Sequence, residues 1–139
     1  MSKVYVYTRN SNAEAFEKGS SRTTQIKKCT NYASIKDLTI DEIVEEKCSG
    51  QIPFDRRDKA FELLSKLKQN DHIICSHLDR FCRNTLSLLQ MIQKFKKKKI
   101  FLHFVDLNCE TTGSDAIGNV FLTMLSCFAQ FTAEQTSQK

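Results

Sequence analysis

The chain has 139 residues, of which 27% are charged and 40% hydrophobic, a composition typical of one soluble globular domain. Its 21 basic and 16 acidic residues give a formal net charge of +5, which favours a polyanionic partner. No apolar run is long enough to cross a membrane and no secretory signal follows Met1, so we expect a cytoplasmic protein.

The hydrophobic pattern predicts strands that alternate with helices along the chain. In chain order we predict a strand at residues 3–7, a helix at 20–33, a strand within 39–47, a helix at 58–69, a strand at 72–75, a helix at 85–95 and a strand at 100–106. Residues 45–47 fit a helix as well as a strand. The alternation predicts an α/β fold with a mostly parallel, doubly wound sheet of about four to five strands.

The last segment, residues 116–139, contains no proline and is interrupted only by Gly118. We therefore predict a long C-terminal helix with a wide apolar stripe, formed by Ile117, Val120, Phe121, Met124, Leu125, Phe128 and Phe131. The stripe is wider than packing against one sheet requires, so we expect part of it to face another subunit. A buried core helix is the alternative.

Polar side chains gather where two of the predicted strands end. The first strand leads into Tyr7, Thr8, Arg9, Asn10 and Ser11, and the third leads into Leu78, Asp79, Arg80 and Arg83. The loop at 46–57 adds Ser49, Arg56 and Arg57. Because ligands of open α/β sheets bind at the carboxyl ends of the strands, we expect a hydroxyl and several arginines to share one site.

The chemistry of these side chains points to a phosphodiester. Arginine forks match phosphate oxygens in shape and charge, and phosphoryl transfer depends mainly on positioning and charge stabilisation. The sequence has no phosphate loop of the G-x-x-x-x-G-K type and no carboxylate cluster suited to magnesium, so we predict no metal. Taken singly, each residue also has a structural interpretation: Ser11 as a turn residue, Asp79 as an ion-pair partner of Arg80, and Arg9 as a surface residue.

The six cysteines and the lysine run have simpler interpretations. No C-x-x-C pair or cysteine-phosphatase loop occurs, although Cys82, between two arginines, is an alternative nucleophile. The lysines at 96–99 are interpreted as a solvated helix end that is stabilised by the helix dipole.

Four stretches resemble the catalytic domain of the serine recombinases, the resolvase/invertase family and its larger integrase relatives. They are YVYTRNS (5–11), EEKCSGQIPFDRR (45–57), LDRFCRNT (78–85) and FLTMLSCFAQF (121–131), and the resemblance extends over residues 3–139. It implies that Ser11 is a nucleophile that forms a 5′-phosphoserine bond with DNA, without metal, ATP or another cofactor. By position, the catalytic residues are Ser11, Arg9, Arg80, Arg83, Arg57 and Asp79, and the supporting or substrate-binding residues are Tyr7, Gln25, Glu46, Ser49 and Arg56, with Arg56 also a rival to Arg57.

The resemblance also implies partners and a domain division. We expect contact with the phosphodiester backbone of DNA, a homodimer, and a tetramer in the DNA synapse. Residues 1–115 are expected to form the catalytic core, and residues 116–139 the start of a dimerisation and synapsis helix. Because no DNA-binding region follows, we expect a fragment of a longer protein or a degenerate element.

Three departures from the family pattern involve four positions. Asn10 stands where valine is usual, Thr132 and Ala133 replace a Glu-Arg pair, and Lys139 replaces an arginine. These departures leave open a second hypothesis, a catalytically impaired domain that serves as a dimerisation or DNA-phosphate-binding module.

Overall fold

The computed structural model describes residues 2–10, 20–49, 51–81, 85–111 and 116–137. Within these ranges, five strands and five α-helices follow one another as β1 (Val4–Asn10), α1 (Ser20–Ile35), β2 (Glu42–Lys47), α2 (Asp58–Lys66), β3 (His72–Cys75), α3 (Leu78–Phe81), α4 (Thr85–Lys98), β4 (Phe101–Phe104), β5 (Cys109–Glu110) and α5 (Ala116–Ser137). Short 3-10 helices lie at Phe54–Arg56 and Val105–Leu107.

The strands form one sheet in the order β2-β1-β3-β4-β5. The first four are parallel, and the two-residue β5 runs antiparallel to β4. This confirms the predicted α/β fold with a mostly parallel sheet. The ambiguous segment at 45–47 is a strand because β1 pairs with β2 over its whole length, from Tyr5 with Glu42 to Asn10 with Lys47.

Helices cover both faces of the sheet, as the doubly wound prediction required. Alternate residues of β1 point to opposite faces: Val4 and Val6 pack with Cys29 and Tyr32 of α1, whereas Tyr5 and Tyr7 join the larger cluster beneath the other helices. Both clusters are closely buried, with Val6 and Tyr7 fully enclosed. The rigid strand between two packed layers therefore fixes the residues at its carboxyl end.

Helix α2 departs in detail from the sequence pattern. Helix α2 buries Ala60 and Leu63, while Phe61, part of the stripe used to predict this helix, is 65% exposed. In α5, Leu125 is buried but Val120, Met124 and Phe128 are exposed. The prediction that this exposed stripe meets another subunit stays a prediction.

Helix α5 begins in close contact with the last strand. An added Cβ at Gly118 would overlap the carbonyl oxygen of Glu110, so only glycine allows this approach of α5 to β5.

The strand order creates a switch point in the sheet, between β1 and β3. The connection from β1 leads to β2 on one side, and the connection from β2 crosses to β3 on the other side of β1. The carboxyl ends of β1 and β3 therefore flank the point at which the chain changes direction, where open α/β sheets bind ligands. The candidate site is built at this point.

Candidate active site

The carboxyl end of β1 is fixed by the side chain of Gln25 from α1. The Gln25 amide donates to the Arg9 carbonyl (3.2 Å) and accepts from the Arg9 N–H (3.2 Å), so it pairs with this residue as a neighbouring strand would. The same Nε2 atom donates to Oδ1 of Asn10 at 2.9 Å. Gln25, Arg9 and Asn10 are all buried. The backbone immediately before Ser11 is therefore held in one conformation.

Arg9 and Arg57 are the two largest of the fully buried side chains. Nη1 of Arg9 donates to the carbonyl oxygen of Cys48 at 2.9 Å, which ties β1 to the loop after β2. Buried arginines are uncommon and require partners for their donors. The sequence pattern predicts Arg9 either at the phosphate or on the surface and does not predict this burial.

The guanidinium group of Arg57 joins three parts of the chain. Its Nε donates to the carbonyl oxygen of Ile52 (2.9 Å), and its Nη1 donates to the Tyr7 hydroxyl (3.1 Å) and to the carbonyl oxygen of Arg80 (2.8 Å). The neighbouring Arg56 is exposed. Of the two arginines that the sequence left as rivals, Arg57 is thus the one that contacts the other site residues.

Glu46 orders the same region from the other side. Its carboxylate accepts from the backbone N–H groups of Lys59 (3.0 Å) and Ala60 (2.9 Å) in the first turn of α2, and from the Tyr7 hydroxyl (3.3 Å). A carboxylate at a helix N-terminus is favoured by the helix dipole. Burial raises the pKa of Tyr7 above its usual 10.0 despite the nearby Arg57, so Tyr7 stays protonated and able to donate.

Arg80, in the helix that follows β3, belongs to the same hydrogen-bonded group. It lies half-buried in α3, and its Nη1 donates to the Arg9 carbonyl oxygen at 3.3 Å. The structure therefore brings together Arg9, Arg57 and Arg80, as well as Tyr7, Gln25 and Glu46. Asp79 lies in α3, next to Arg80 in the chain. Ser11, Cys82 and Arg83 lie outside the described residues, so their predicted places in the site stay predictions.

Among the residues that the structure describes, neither the Ser49 hydroxyl nor the Cys48 thiol bonds to the other site residues. Ser49 is exposed, and its hydroxyl accepts from the Gln51 N–H at 3.2 Å within the loop. Burial raises the pKa of the half-buried Cys48 thiol, an effect that Arg57 and Arg9 only partly oppose. At neutral pH this thiol is therefore a poor nucleophile.

An open pocket lies beside these residues, between the end of β2 and the start of α2. Its volume is about 430 Å³, and it is lined by the polar and charged residues Asn10, Glu45, Glu46, Lys47, Asp58 and Lys59. In the part of the chain that the structure describes, no three His, Cys, Asp or Glu side chains are grouped so as to hold a metal ion. Within the same residues, no helix is both long and apolar enough to pass through a membrane.

Comparison with known proteins gives a consistent result. The family model described as "Resolvase, N terminal domain" matches residues 4–139. A resolvase of Clostridium perfringens is 28% identical over 128 residues, which cover 91% of this chain and 65% of that protein. The Tn3 transposon resolvase of Escherichia coli is 31% identical over 99 residues, covering 70% of this chain and 51% of that protein. The chain thus spans about half to two-thirds of the length of these relatives.

Solved structures agree with the sequence matches. The N-terminal catalytic domain of TP901-1 integrase superposes with a TM-score of 0.81 at 27% identity, covering 96% of this chain and 98% of that one. A resolvase-family site-specific recombinase from Streptococcus pneumoniae shares the fold, with a TM-score of 0.70 at 20% identity over 99% of this chain and 91% of that one.

Proposed function

Because the chain belongs to the resolvase N-terminal domain family, the serine recombinase catalytic domains, we propose that it cleaves and rejoins DNA, with Ser11 as the nucleophile. The main support is the hydrogen-bonded group at the end of β1. Gln25 and Arg80 both bond to the Arg9 carbonyl, and Arg57 bonds to the Arg80 carbonyl. The guanidinium groups of Arg80 and Arg57 are thereby tied, directly or through the Arg80 backbone, to Arg9, which precedes Ser11 by two residues in the chain.

In the proposed step the Ser11 oxygen forms a bond to phosphorus and the bond from phosphorus to the 3′ oxygen breaks. The proton of the serine hydroxyl ends on the released 3′ oxygen. Rejoining is the reverse attack by a 3′-hydroxyl, so no external energy source is consumed. The negative charge of the five-coordinate phosphorus grows toward the transition state, and positioned arginines stabilise that charge.

The site residues divide into two proposed roles. Arg9, Arg80 and Arg83 stabilise the phosphate, with Asp79 beside Arg80. Tyr7, Gln25, Glu46 and Arg57 are buried and bonded to one another or to backbone, so we assign them to positioning. Arg9 is equally buried and is assigned to the phosphate because it lies two residues before Ser11 in the chain and matches a family arginine by position. Ser49 and Arg56, both exposed at the edge of the site, are assigned to contact with the DNA backbone.

The proposal extends to the assembly in which the domain works. The substrate is duplex DNA, and the exposed stripe of Val120, Met124 and Phe128 on α5 is proposed to join two copies in a dimer and to contribute to a tetramer during strand exchange. Thr132, Ala133 and Lys139, the departures behind the hypothesis of an impaired domain, have no described side-chain placement, and no observation favours that hypothesis.

Trapping of the covalent protein–DNA adduct tests this function. The domain would be joined at its C-terminus to a DNA-binding domain of known target and mixed with duplexes that carry that target beside a randomised central sequence. We expect a denaturant-resistant adduct whose peptide map places the phosphate on Ser11.

Two variants identify the nucleophile. Ser11→Ala should abolish the adduct while duplex binding is kept, and Cys82→Ser should leave the adduct yield unchanged. An adduct that survives in Ser11→Ala but is lost in Cys82→Ser would overturn the assignment.

A further inference from the structure

Three lysine-bearing segments meet at the amino edge of the sheet, opposite the candidate active site. The buried carboxylate of Asp71 accepts from the backbone N–H groups of Lys3 and Lys68, each at 2.9 Å. The Asn70 N–H donates to the Lys99 carbonyl at 2.8 Å, which brings the end of α4 to the same place. These contacts gather what we call the lysine edge, formed by Lys3, Lys68, Lys96, Lys97, Lys98 and Lys99.

The lysine edge presents almost only positive charge to solvent. All six lysines are exposed, and among the described residues none of them forms an ion pair. Asp71, the acid of these segments, is only 3% exposed. Toward β2 the surface is mixed instead, because Lys66 pairs with Glu42 at 3.5 Å and Asp41 accepts from the Val4 N–H. The positive surface therefore begins at Lys3, where the exposed Asp41 borders it, and extends over the amino ends of β3 and β4.

We propose that the lysine edge binds the phosphate backbone of a DNA duplex segment distinct from the segment at the candidate active site. This inference rests on the proposed function, since it supplies the DNA. Lysine is a mobile point charge that suits sequence-independent phosphate contacts. Protein–protein interfaces are depleted in lysine, so an acidic protein surface is the less suitable partner.

The dimensions of the sheet require that the two segments differ. The seven residues of β1 separate the edges by about 20 Å. A straight duplex at the carboxyl edge does not reach the amino edge, whereas a second segment, or the far flank of a bent one, does. Across the edge, β1 to β4 spans two strand spacings, about 10 Å, along which a duplex presents several phosphates.

The lysines also have a competing structural role. Lys96, Lys97 and Lys98 occupy the last turn of α4, where positive side chains stabilise the helix dipole. That role predicts a loss of stability on their removal with no change in DNA affinity, so the two roles are separable by experiment.

The test compares two variants of the 139-residue chain with equal charge changes. Lys97→Gln/Lys98→Gln removes two lysines of the edge, and Lys27→Gln/Lys28→Gln removes two exposed lysines of α1. Affinity for a short duplex of random sequence is measured by fluorescence anisotropy between about 50 and 200 mM salt. We expect the edge variant to bind roughly tenfold more weakly at the lowest salt, with a salt dependence reduced by about two phosphate contacts.

The control variant should keep at least most of its affinity. Equal losses in both variants would show that net charge alone matters and would overturn the proposal, as would an unchanged affinity of the edge variant with lower thermal stability. Adduct formation at Ser11 is measured separately, in the fused domain. If the fused domain forms the adduct but the edge variant keeps its DNA affinity, only the proposal for the lysine edge is refuted. If the fused domain forms no adduct but the two variants still differ in DNA affinity, only the proposed chemistry is refuted.

Discussion

The two edges of one sheet carry positive charge in two different forms. At the carboxyl edge, Arg9 and Arg57 are 0% and 1% exposed, and their guanidinium groups are bonded to backbone carbonyls and to Tyr7. At the amino edge, lysines such as Lys97 and Lys98 are exposed and without ion pairs among the described residues. The same sign of charge is buried and hydrogen-bonded at one edge and exposed to solvent at the other.

The difference follows from the side chains themselves. Arginine presents five donors in a planar fork, so several bonds can hold it in one orientation, whereas a lysine ammonium is compact and strongly hydrated. Fixed charge stabilises a transition state because it needs no reorganisation, and mobile charge suits contact with any phosphate along a duplex. We therefore assign chemistry to the carboxyl edge and sequence-independent binding to the amino edge.

The largest effect on stability is expected from Arg57→Ala. The substitution leaves the carbonyl oxygens of Ile52 and Arg80 and the Tyr7 hydroxyl without a buried donor, which should lower the free energy of unfolding by about 3 kcal/mol. Arg56→Ala is the matched control, since Arg56 is exposed, and should change it by no more than about 0.5 kcal/mol. Urea unfolding of both variants measures the difference, and equal small changes would show that the carboxyl edge is not rigid.

A smaller effect is expected where Asn10 accepts from Gln25. Asn10→Val removes this buried acceptor and should cost about 1–2 kcal/mol of unfolding free energy, with slower cleavage because the backbone before Ser11 loosens.

A double-mutant cycle with Gln25→Ala measures whether the two side chains act together. We expect a coupling energy above about 0.5 kcal/mol, both in unfolding and in the single-turnover cleavage rate. Additive effects would mean that Asn10 fills space without positioning the strand end.

The smallest effect concerns His72, at the start of β3 on the amino edge. Burial lowers the pKa of His72 below its usual 6.5, although the buried carboxylates of Glu110 and Asp71 oppose the shift. The unfolded chain therefore takes up the proton first, and stability present above pH 6.5 should fall as the pH drops below it.

The His72→Phe variant, which keeps an aromatic ring against Phe101, should show a flatter decline in unfolding midpoint between about pH 7 and 5.5. Because the substitution also removes the hydrogen bond to Nε2 of His103, the decline in each protein is measured relative to its own unfolding midpoint at neutral pH. An identical decline in both proteins would mean that other groups cause it. At neutral pH the charge of this edge should then come from the lysines alone.

Most of the fold was predictable because it depends on local patterns. The alternation of apolar runs predicted the parallel sheet and the approximate positions of its four longer strands. The predicted strands were wrong where pairing between distant residues determines their extent. β1 extends through Asn10 because β2 pairs with it there, and β5 is too short to leave a hydrophobic pattern in the sequence. Phe61 was a poor guide to the buried face of α2 because Glu46, from a distant strand, fixes how that helix begins.

The residue types of the site were predictable, but their division into roles was not. The convergence of Arg9, Arg57 and Arg80 followed from the strand ends and from the resemblance. Arg9 and Arg57 can be buried because the carbonyl oxygens of Cys48 and Ile52 accept from them. Such backbone acceptors cannot be recognised from the residue types in a sequence. The pairing of Gln25 with the Arg9 backbone likewise joins residues whose contact only the folded chain creates.

The two edges of the sheet are proposed to perform different tasks, and one paired measurement separates them. In the domain fused to a DNA-binding domain, single-turnover cleavage at saturating DNA would be measured for Arg80→Lys and for Lys97→Gln/Lys98→Gln, and duplex affinity would be measured for the unfused variants. We predict that Arg80→Lys slows cleavage about 100-fold with affinity nearly unchanged, because the fork is lost but the charge is kept. The lysine variant should bind about tenfold more weakly and cleave at nearly the parental rate. If both variants altered the same quantity, cleavage or affinity, the assignment of chemistry to one edge and binding to the other would be contradicted.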